Sequence, residues 1–215
     1  MHRYPDRIAA GQVLASGLTS LAGHPDALVL ALPRGGVPVG FAIAQALQLP
    51  LDIVLVRKLG VPGHEEYAMG AVASGGARVM QPDVVETLGI EPSVIEAIAE
   101  RELRTIAERE ISYRAGRAPL ALDGKIVILV DDGLATGSTM RVAVEVVRQQ
   151  GPQAIILAVP VGAPDSLAAF ADIVDEVACP CTPMVFRSVG QWYDDFSQTS
   201  DEEVQRLLAA ARSPG

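Results

Sequence analysis

Cysteine is nearly absent from this chain: only Cys179 and Cys181 occur, separated by Pro180. A Cys-Pro-Cys triplet cannot complete a four-ligand zinc site by itself. Two thiols are also too few for a disulfide framework, so the pair reads as buried thiols near a strand end, in a reducing, cytoplasmic compartment. Long apolar runs are missing too. None approaches the ~20 residues of a membrane span, and the N-terminal Met-His-Arg-Tyr-Pro-Asp has no secretory apolar core. Positive charge is in deficit, with 17 Lys and Arg against 26 Asp and Glu, a net charge of −9. That balance argues against a nucleic-acid partner, which needs a basic face. It also means that any phosphate site must be built locally, from loops and a few cations. There is no Gly-Lys-[Ser/Thr] phosphate loop and no GxGxxG fingerprint after a strand. Internal repeats and low-complexity tracts are lacking as well.

What is present is apolar content of 49% over 215 residues, ample for one domain with at most a small appendage. The pattern predicts an α/β fold. Short apolar runs at 27–32, 51–56, 126–130, 154–161 and 173–178 alternate with helical spacing at 6–21, 37–47, 138–150 and 165–170. Residues 57–82 hold five glycines and little helical period, which reads as a long loop with a short hairpin. A long helix is expected from Pro92 to about Arg114, opened by a capping box of Ser93 and Glu96. Its face is Ile95, Ala99, Leu103 and Ile106. Residues 179–199 are loop-rich and concentrate the aromatics, and a last helix starts near Thr199 or Ser200, with Glu202 and Glu203 as capping partners.

The most informative stretch is 127–139, Val-Ile-Leu-Val-Asp-Asp-Gly-Leu-Ala-Thr-Gly-Ser-Thr. A buried apolar strand runs into two carboxylates, Asp131 and Asp132, then into a loop of small and hydroxylated residues, then into a helix. Gly133 and Gly137 permit close approach of a ligand. Thr136, Ser138, Thr139 and the free N–H groups of the helix start suit an anion. The carboxylates suit ribose hydroxyls, or a divalent cation shared with phosphates. A second strand–glycine–helix junction, Pro33-Arg34-Gly35-Gly36, offers a guanidinium fork and more backbone donors. Arg57 and Lys58 put two cations at the expected end of strand 51–56.

The stretch 127–139 resembles the phosphoribosyl-pyrophosphate signature of type I phosphoribosyltransferases. The strings Leu-Pro-Arg-Gly-Gly-Val-Pro-Val (32–39) and Arg-Lys-Leu-Gly (57–60) are similar to those of uncharacterised predicted members of that family. The resemblance implies a Rossmann-like parallel sheet flanked by helices, a single domain over 1–215 with a core at about 27–162, and a small hood from 1–26 and 179–215. It implies transfer of a phosphoribosyl group from phosphoribosyl pyrophosphate to a nitrogen acceptor, with Mg2+ bound mainly through substrate and aided by Asp131 and Asp132.

By the same resemblance, Asp131 and Asp132 bind the ribose, and with Gly133, Ala135, Thr136, Gly137, Ser138 and Thr139 hold the phosphoribosyl group. Arg34, Gly35, Gly36, Arg57 and Lys58 address pyrophosphate, and Asp131, Asp132 and Arg34 form the catalytic set. One peptide bond of the Arg34 loop is often cis in the family. Stretch 59–76 corresponds to a mobile lid carrying His64. Phe186, Trp192 and Tyr193 are acceptor-site candidates in the hood, which Tyr4 to Arg7 are expected to join. Ala135 stands where hypoxanthine-guanine members carry an Asp, so that acceptor chemistry loses its usual proton handler. Family members are often homodimers. The alternatives are a regulator that binds phosphoribosyl pyrophosphate or a nucleotide without catalysis, and a hydrolase that uses water as acceptor.

Overall fold

The computed structural model describes residues 3–211; residues 1–2 and 212–215, the extremes of the expected hood, lie outside the described residues. The chain order is α1 (Arg7–Gly17), β1 (Ala27–Ala31), α2 (Gly36–Leu47), β2 (Leu51–Ile53), β3 (Val56–Val61), β4 (His64–Ala73), β5 (Arg78–Met80), α3 (Pro82–Leu88), α4 (Pro92–Arg114), β6 (Ile126–Val130), α5 (Ser138–Arg148), β7 (Ala154–Ala158), α6 (Pro164–Ala168), β8 (Glu176–Ala178) and α7 (Asp201–Ala210). Five strands form a parallel sheet in the order β2-β1-β6-β7-β8.

Successive side chains on a strand point to opposite faces, and the core follows that rule. Val29, Ala31, Ile128, Val130 and Ile156 face a cluster that includes Ile43 of α2, Ala99 of α4 and Leu207 of α7. Leu28, Leu30, Val127, Leu129 and Ile155 face Met140, Ala143 and Val147 of α5 and Phe170 beyond α6. Both faces are covered, which is why these strands read as continuous apolar runs.

Two expectations need correction. The predicted strand 51–56 is two strands in different sheets. It leaves the parallel sheet after Ile53, because the Ser74 hydroxyl and N–H bond the Leu55 N–H and carbonyl (both 2.9 Å) and draw the chain into an antiparallel pairing. Stretch 57–82 is therefore not a loop but a three-stranded antiparallel sheet, β3-β4-β5, followed by α3. Its glycines misled because they serve close packing as well as turns: a Cβ at Gly70 would lie 2.5 Å from the Val79 carbonyl oxygen. The capping box of α4 is also absent. Pro92 occupies the first helical position, so Glu91 is the N-cap and Ser93 lies inside the helix. Glu96 instead takes Arg78 in a two-pronged pair at 2.8 and 3.0 Å. The predicted runs 154–161 and 173–178 shorten to β7 and β8.

The N-terminal segment at Tyr4 meets segment 192–194. Tyr4 forms a parallel bridge with Tyr193 and donates its N–H to the Trp192 carbonyl at 2.9 Å, while Asp194 donates back to the Tyr4 carbonyl at 2.9 Å. Ala10, Val161, Trp192 and Tyr193 form a small core of their own under this crossing, with Phe186 packed against it.

Candidate active site

Adjacent strands β1 and β6 lie at the point where the sheet order reverses, since β1 continues to β2 on one side and β6 to β7 on the other. In open α/β sheets the ligand crevice opens beyond the carboxyl ends of such a pair. The register aligns Ala31 with Val130, so loop 33–36 and loop 131–137 leave the sheet side by side. They touch. A Cβ at Gly35 would lie 2.1 Å from Asp132 Oδ2, and one at Gly36 would lie 2.7 Å from the Val130 carbonyl oxygen. Glycine is required here because the two loops pack backbone against carboxylate, not for an unusual φ; Gly35 is in the ordinary helical region. The Pro33–Arg34 bond is cis, in the loop where the resemblance implies one.

The acidic pair is bonded on several sides. Asp131 Oδ1 accepts the Asp132 N–H at 2.8 Å. Asp132 Oδ2 accepts Arg7 Nε–H at 2.9 Å, and the Asp132 carbonyl accepts the Tyr193 hydroxyl at 2.6 Å. Burial pushes the Asp131 carboxyl well above the usual carboxylate range, and the charge of Asp132 adds to the rise. Burial raises Asp132 as well, opposed by the Arg7 guanidinium. Burial, then the Asp132 charge, raises the Tyr193 hydroxyl, which stays a donor.

These shifts carry a stability consequence. A carboxyl with a folded pKa above its unfolded value favours the folded state at low pH, and that contribution is lost as pH rises through the folded pKa. At neutral pH the pair therefore costs stability. Asp131→Asn keeps an oxygen for the Asp132 N–H and removes the charge, so its Tm at neutral pH should rise by about 2–4 °C, the shift expected for ~1 kcal/mol in a chain of this size. The gap to the wild type should close as the pH falls to about 4. Scanning calorimetry across pH checks this, and a lower Tm than wild type at neutral pH contradicts it.

Beyond the acids, loop 133–137 is shaped as an open cradle. Gly133 packs against Val189, where a Cβ would sit 2.5 Å from the valine side chain. Gly137 has φ 73°, in the left-handed region that favours glycine, and serves as N-cap of α5 without a side chain to cap it. The first N–H groups of α5 are thus left for a ligand, at the positive end of the helix. Ala135, Thr136, Ser138 and Thr139 are exposed, and the Thr136 and Ser138 hydroxyls lie 3.0 Å apart. The Ala135 carbonyl is taken by the Ser166 hydroxyl.

Other expected residues are placed differently. Arg34 reaches toward the start of α7, with Nη1 3.7 Å from Asp201 Oδ1, an oxygen that also accepts the Tyr113 hydroxyl at 2.5 Å. Arg57 and Lys58 belong to β3 and not to the end of a core strand. Arg57 is paired with Glu102 of α4 at 2.9 Å, and Lys58 is exposed. His64, at the start of β4, is exposed on the hairpin. Trp192 and Tyr193 do not offer open ring faces to an acceptor. They are 8% and 2% exposed and act as pillars of the hood, as the half-buried Phe186 does beside them. Phe196, which the sequence reading left out of the acceptor set, is more open at 38%. Cys179 and Cys181 are free thiols, and burial pushes Cys179 up to about 11, so it is not a poised nucleophile.

The residue missed altogether is Arg7. No local signal could find its partner, because 125 positions separate it from Asp132. Only the expectation that Tyr4 to Arg7 join the hood pointed that way.

Two neighbouring carboxylates fit a cation only in company with substrate oxygens. One oxygen of each is already bonded within the protein, and among the described residues no group of three or more His, Cys, Asp or Glu side chains could hold a metal by itself. That donor set suits Mg2+, which keeps few protein ligands and shares substrate phosphates.

The fold and site define an α/β domain whose parallel sheet carries, at its switch point, an acidic pair, a glycine-hydroxyl loop and a helix N-terminus without a side-chain cap. The chain belongs to the phosphoribosyl transferase family, whose domain matches residues 4–180. A Mycobacterium tuberculosis protein, named provisionally as a phosphoribosyl transferase, is 44% identical over 211 residues, 98% of this chain and 47% of its own length. The chain thus spans about half the length of the curated relatives it matches. The crystal structure of TT1426 from Thermus thermophilus matches with a TM-score of 0.85 at 40% identity, over 98% of this chain and 100% of that one. A hypothetical protein from Neisseria gonorrhoeae, solved with bound ppGpp, is similar in fold alone, with a TM-score of 0.51 at 17% identity over 98% and 96% of the two chains. Among the described residues no helix is long and apolar enough to cross a membrane.

Proposed function

We propose that this chain takes phosphoribosyl pyrophosphate with Mg2+ as donor and transfers the phosphoribosyl group to a nitrogen acceptor, with a nucleobase as the expected class. The observation that carries this reading is the contact between Gly35 and Asp132, which brings a ribose-binding acid and a pyrophosphate-type loop to one point. The acceptor nitrogen attacks the anomeric carbon as the bond to pyrophosphate breaks, and the electron pair leaves with pyrophosphate. Asp131 and Asp132 accept hydrogen bonds from the ribose hydroxyls and orient the ring. Thr136, Ser138, Thr139 and the first N–H groups of α5 receive the 5′-phosphate. Arg34 and the backbone of Gly35 and Gly36 face the leaving group. Asp131 and Asp132, together with substrate oxygens, would hold Mg2+, which would supply charge neutralisation for the leaving group. The protein's share of catalysis is positioning and electrostatics.

We assign the lid role to the β3–β4 hairpin, whose start at His64 to Tyr67 is exposed. A transferase is favoured over a ligand-binding regulator because the pyrophosphate-type loop and the hairpin accompany the phosphate cradle. Calorimetry with phosphoribosyl pyrophosphate and Mg2+, joined to a pyrophosphate-release screen over nucleobases and small amines, tests the reading. Saturable donor binding and release that depends on one acceptor class are expected. Absence of donor binding, with Mg2+ or without it, overturns it.

A further inference from the structure

We propose that Arg7, carried by the N-terminal helix, is a positioning residue of the donor site, which keeps Asp132 as an aimed acceptor for the ribose hydroxyls. The inference rests on the phosphoribosyl reading above and adds to it a residue outside the 127–139 stretch.

The folding of α1 places Arg7. Asp6 caps the helix, its carboxylate accepting the Ala9 N–H at 2.8 Å. The helix then lies close against α2: a Cβ at Gly11 would sit 2.4 Å from the Val39 carbonyl oxygen. Residues four apart on a helix share a face. One turn before Gly11 on α1 is Arg7, and one turn before Val39 on α2 is Gly35. The same close approach therefore brings Arg7 to the pyrophosphate-type loop, where its Nε is 3.3 Å from the Cβ position of Gly35.

Its head group is held on three sides. Nε bonds Asp132 Oδ2 at 2.9 Å, Nη1 bonds the Ser197 carbonyl at 2.7 Å, and the guanidinium lies 4.0 Å from the Phe196 ring centroid. The pair is little exposed, at 11% for Arg7 and 15% for Asp132, so water screens it weakly. Among the described residues, Arg7 is the one cation paired with either member of the acidic pair.

That arrangement matters for chemistry. Two adjacent, half-buried carboxylates repel each other, and a ribose diol needs their free oxygens held in a fixed direction. Arg7 offsets the second charge, and by using one oxygen of Asp132 it leaves the other for the sugar. The contact also ties the hood to the site, because Ser197 and Phe196 follow the Tyr193 pillar whose hydroxyl bonds the Asp132 carbonyl.

The test is binding by calorimetry of ribose 5-phosphate and, separately, inorganic pyrophosphate, to wild type and to Arg7→Ala, Arg7→Gln and Arg7→Lys. Loss of a charge-assisted contact of ~1.5–3 kcal/mol corresponds to about a 10- to 100-fold weaker affinity for ribose 5-phosphate in Arg7→Ala. Pyrophosphate affinity should change by less than about threefold, since Arg34 and the Gly35 backbone remain. Guanidinium ion added at millimolar levels should restore part of the lost sugar-phosphate affinity in Arg7→Ala. Should Arg7→Ala not fold, Arg7→Lys keeping more affinity than Arg7→Gln carries the same conclusion. Unchanged sugar-phosphate affinity with a lower Tm marks Arg7 as a strut and overturns the inference. Equal loss for both ligands overturns it too, as does tighter sugar binding, which would make Arg7 a competing latch. If the wild type binds neither ligand, the donor-site reading itself fails and the inference falls with it, an outcome distinct from a loss seen only in the Arg7 variants.

Discussion

Asp132→Asn is expected to lower kcat/KM for phosphoribosyl pyrophosphate on the order of 100-fold or more, with the fold intact. The size follows from what the carboxylate does. Hydrogen bonds to a charged acceptor contribute about 1.5–3 kcal/mol each, and a ribose diol offers two hydroxyls. An amide replaces one acceptor oxygen with a donor NH2. One orientation then points that donor at Arg7 Nε–H, where the structure has a 2.9 Å bond, and the other points it at the sugar. Either loses a contact, and either leaves Arg7 without its charge partner. The side chain keeps its shape, so circular dichroism should be unchanged and Tm should move by only a few degrees. Steady-state kinetics, with the acceptor found in the release screen, provides the check. Turnover within a few-fold of wild type would remove Asp132 from the donor site.

Gly35→Ala should be comparably damaging, for a reason of space alone. The φ and ψ of Gly35 are −61° and −32°, which alanine adopts without strain. The added methyl nevertheless would lie 2.1 Å from Asp132 Oδ2 and 2.7 Å from its Cγ. Something must move by about 1 Å, and both neighbours are held, Asp132 by Arg7 and Gly36 by its N–H bond to the Leu32 carbonyl at 3.0 Å. A misplacement of that size in a site built on orientation can cost about 100-fold in rate. The expected result is a fall in kcat/KM of that order with a smaller fall in Tm, read from kinetics and calorimetry on one preparation. A variant with normal kinetics would mean that the two loops need not touch for catalysis.

These expectations show how unevenly the site could be read from the chain. Asp131 to Thr139 was legible because its parts are consecutive: apolar strand, acids, small loop and helix start each have a local pattern. The Arg34 junction was legible for the same reason. Arg57 and Lys58 were assigned to a strand end that does not exist, because a two-residue kink after Ile53 turns one apolar run into strands of two sheets. Periodicity cannot show such a switch, since residues 51–55 are buried without a break. The antiparallel sheet stayed hidden for a related reason, since glycines that serve strand packing look the same in sequence as glycines that serve loops. Trp192 and Tyr193 were noticed as aromatics, yet burial under the hood makes them supports and leaves Phe196 the more open ring.

By itself, the sequence determined the strand–helix alternation of the core and the glycine-hydroxyl loop after the acidic pair, because each rests on interactions among residues close along the chain. The tertiary structure alone decided that Gly35 touches Asp132 and that Arg7 reaches it. It also decided that Tyr4 bridges Tyr193. Those contacts join residues 97 to 190 positions apart, and they depend on how helices seat on a sheet, which follows from the summed fit of many buried side chains and not from any local pattern.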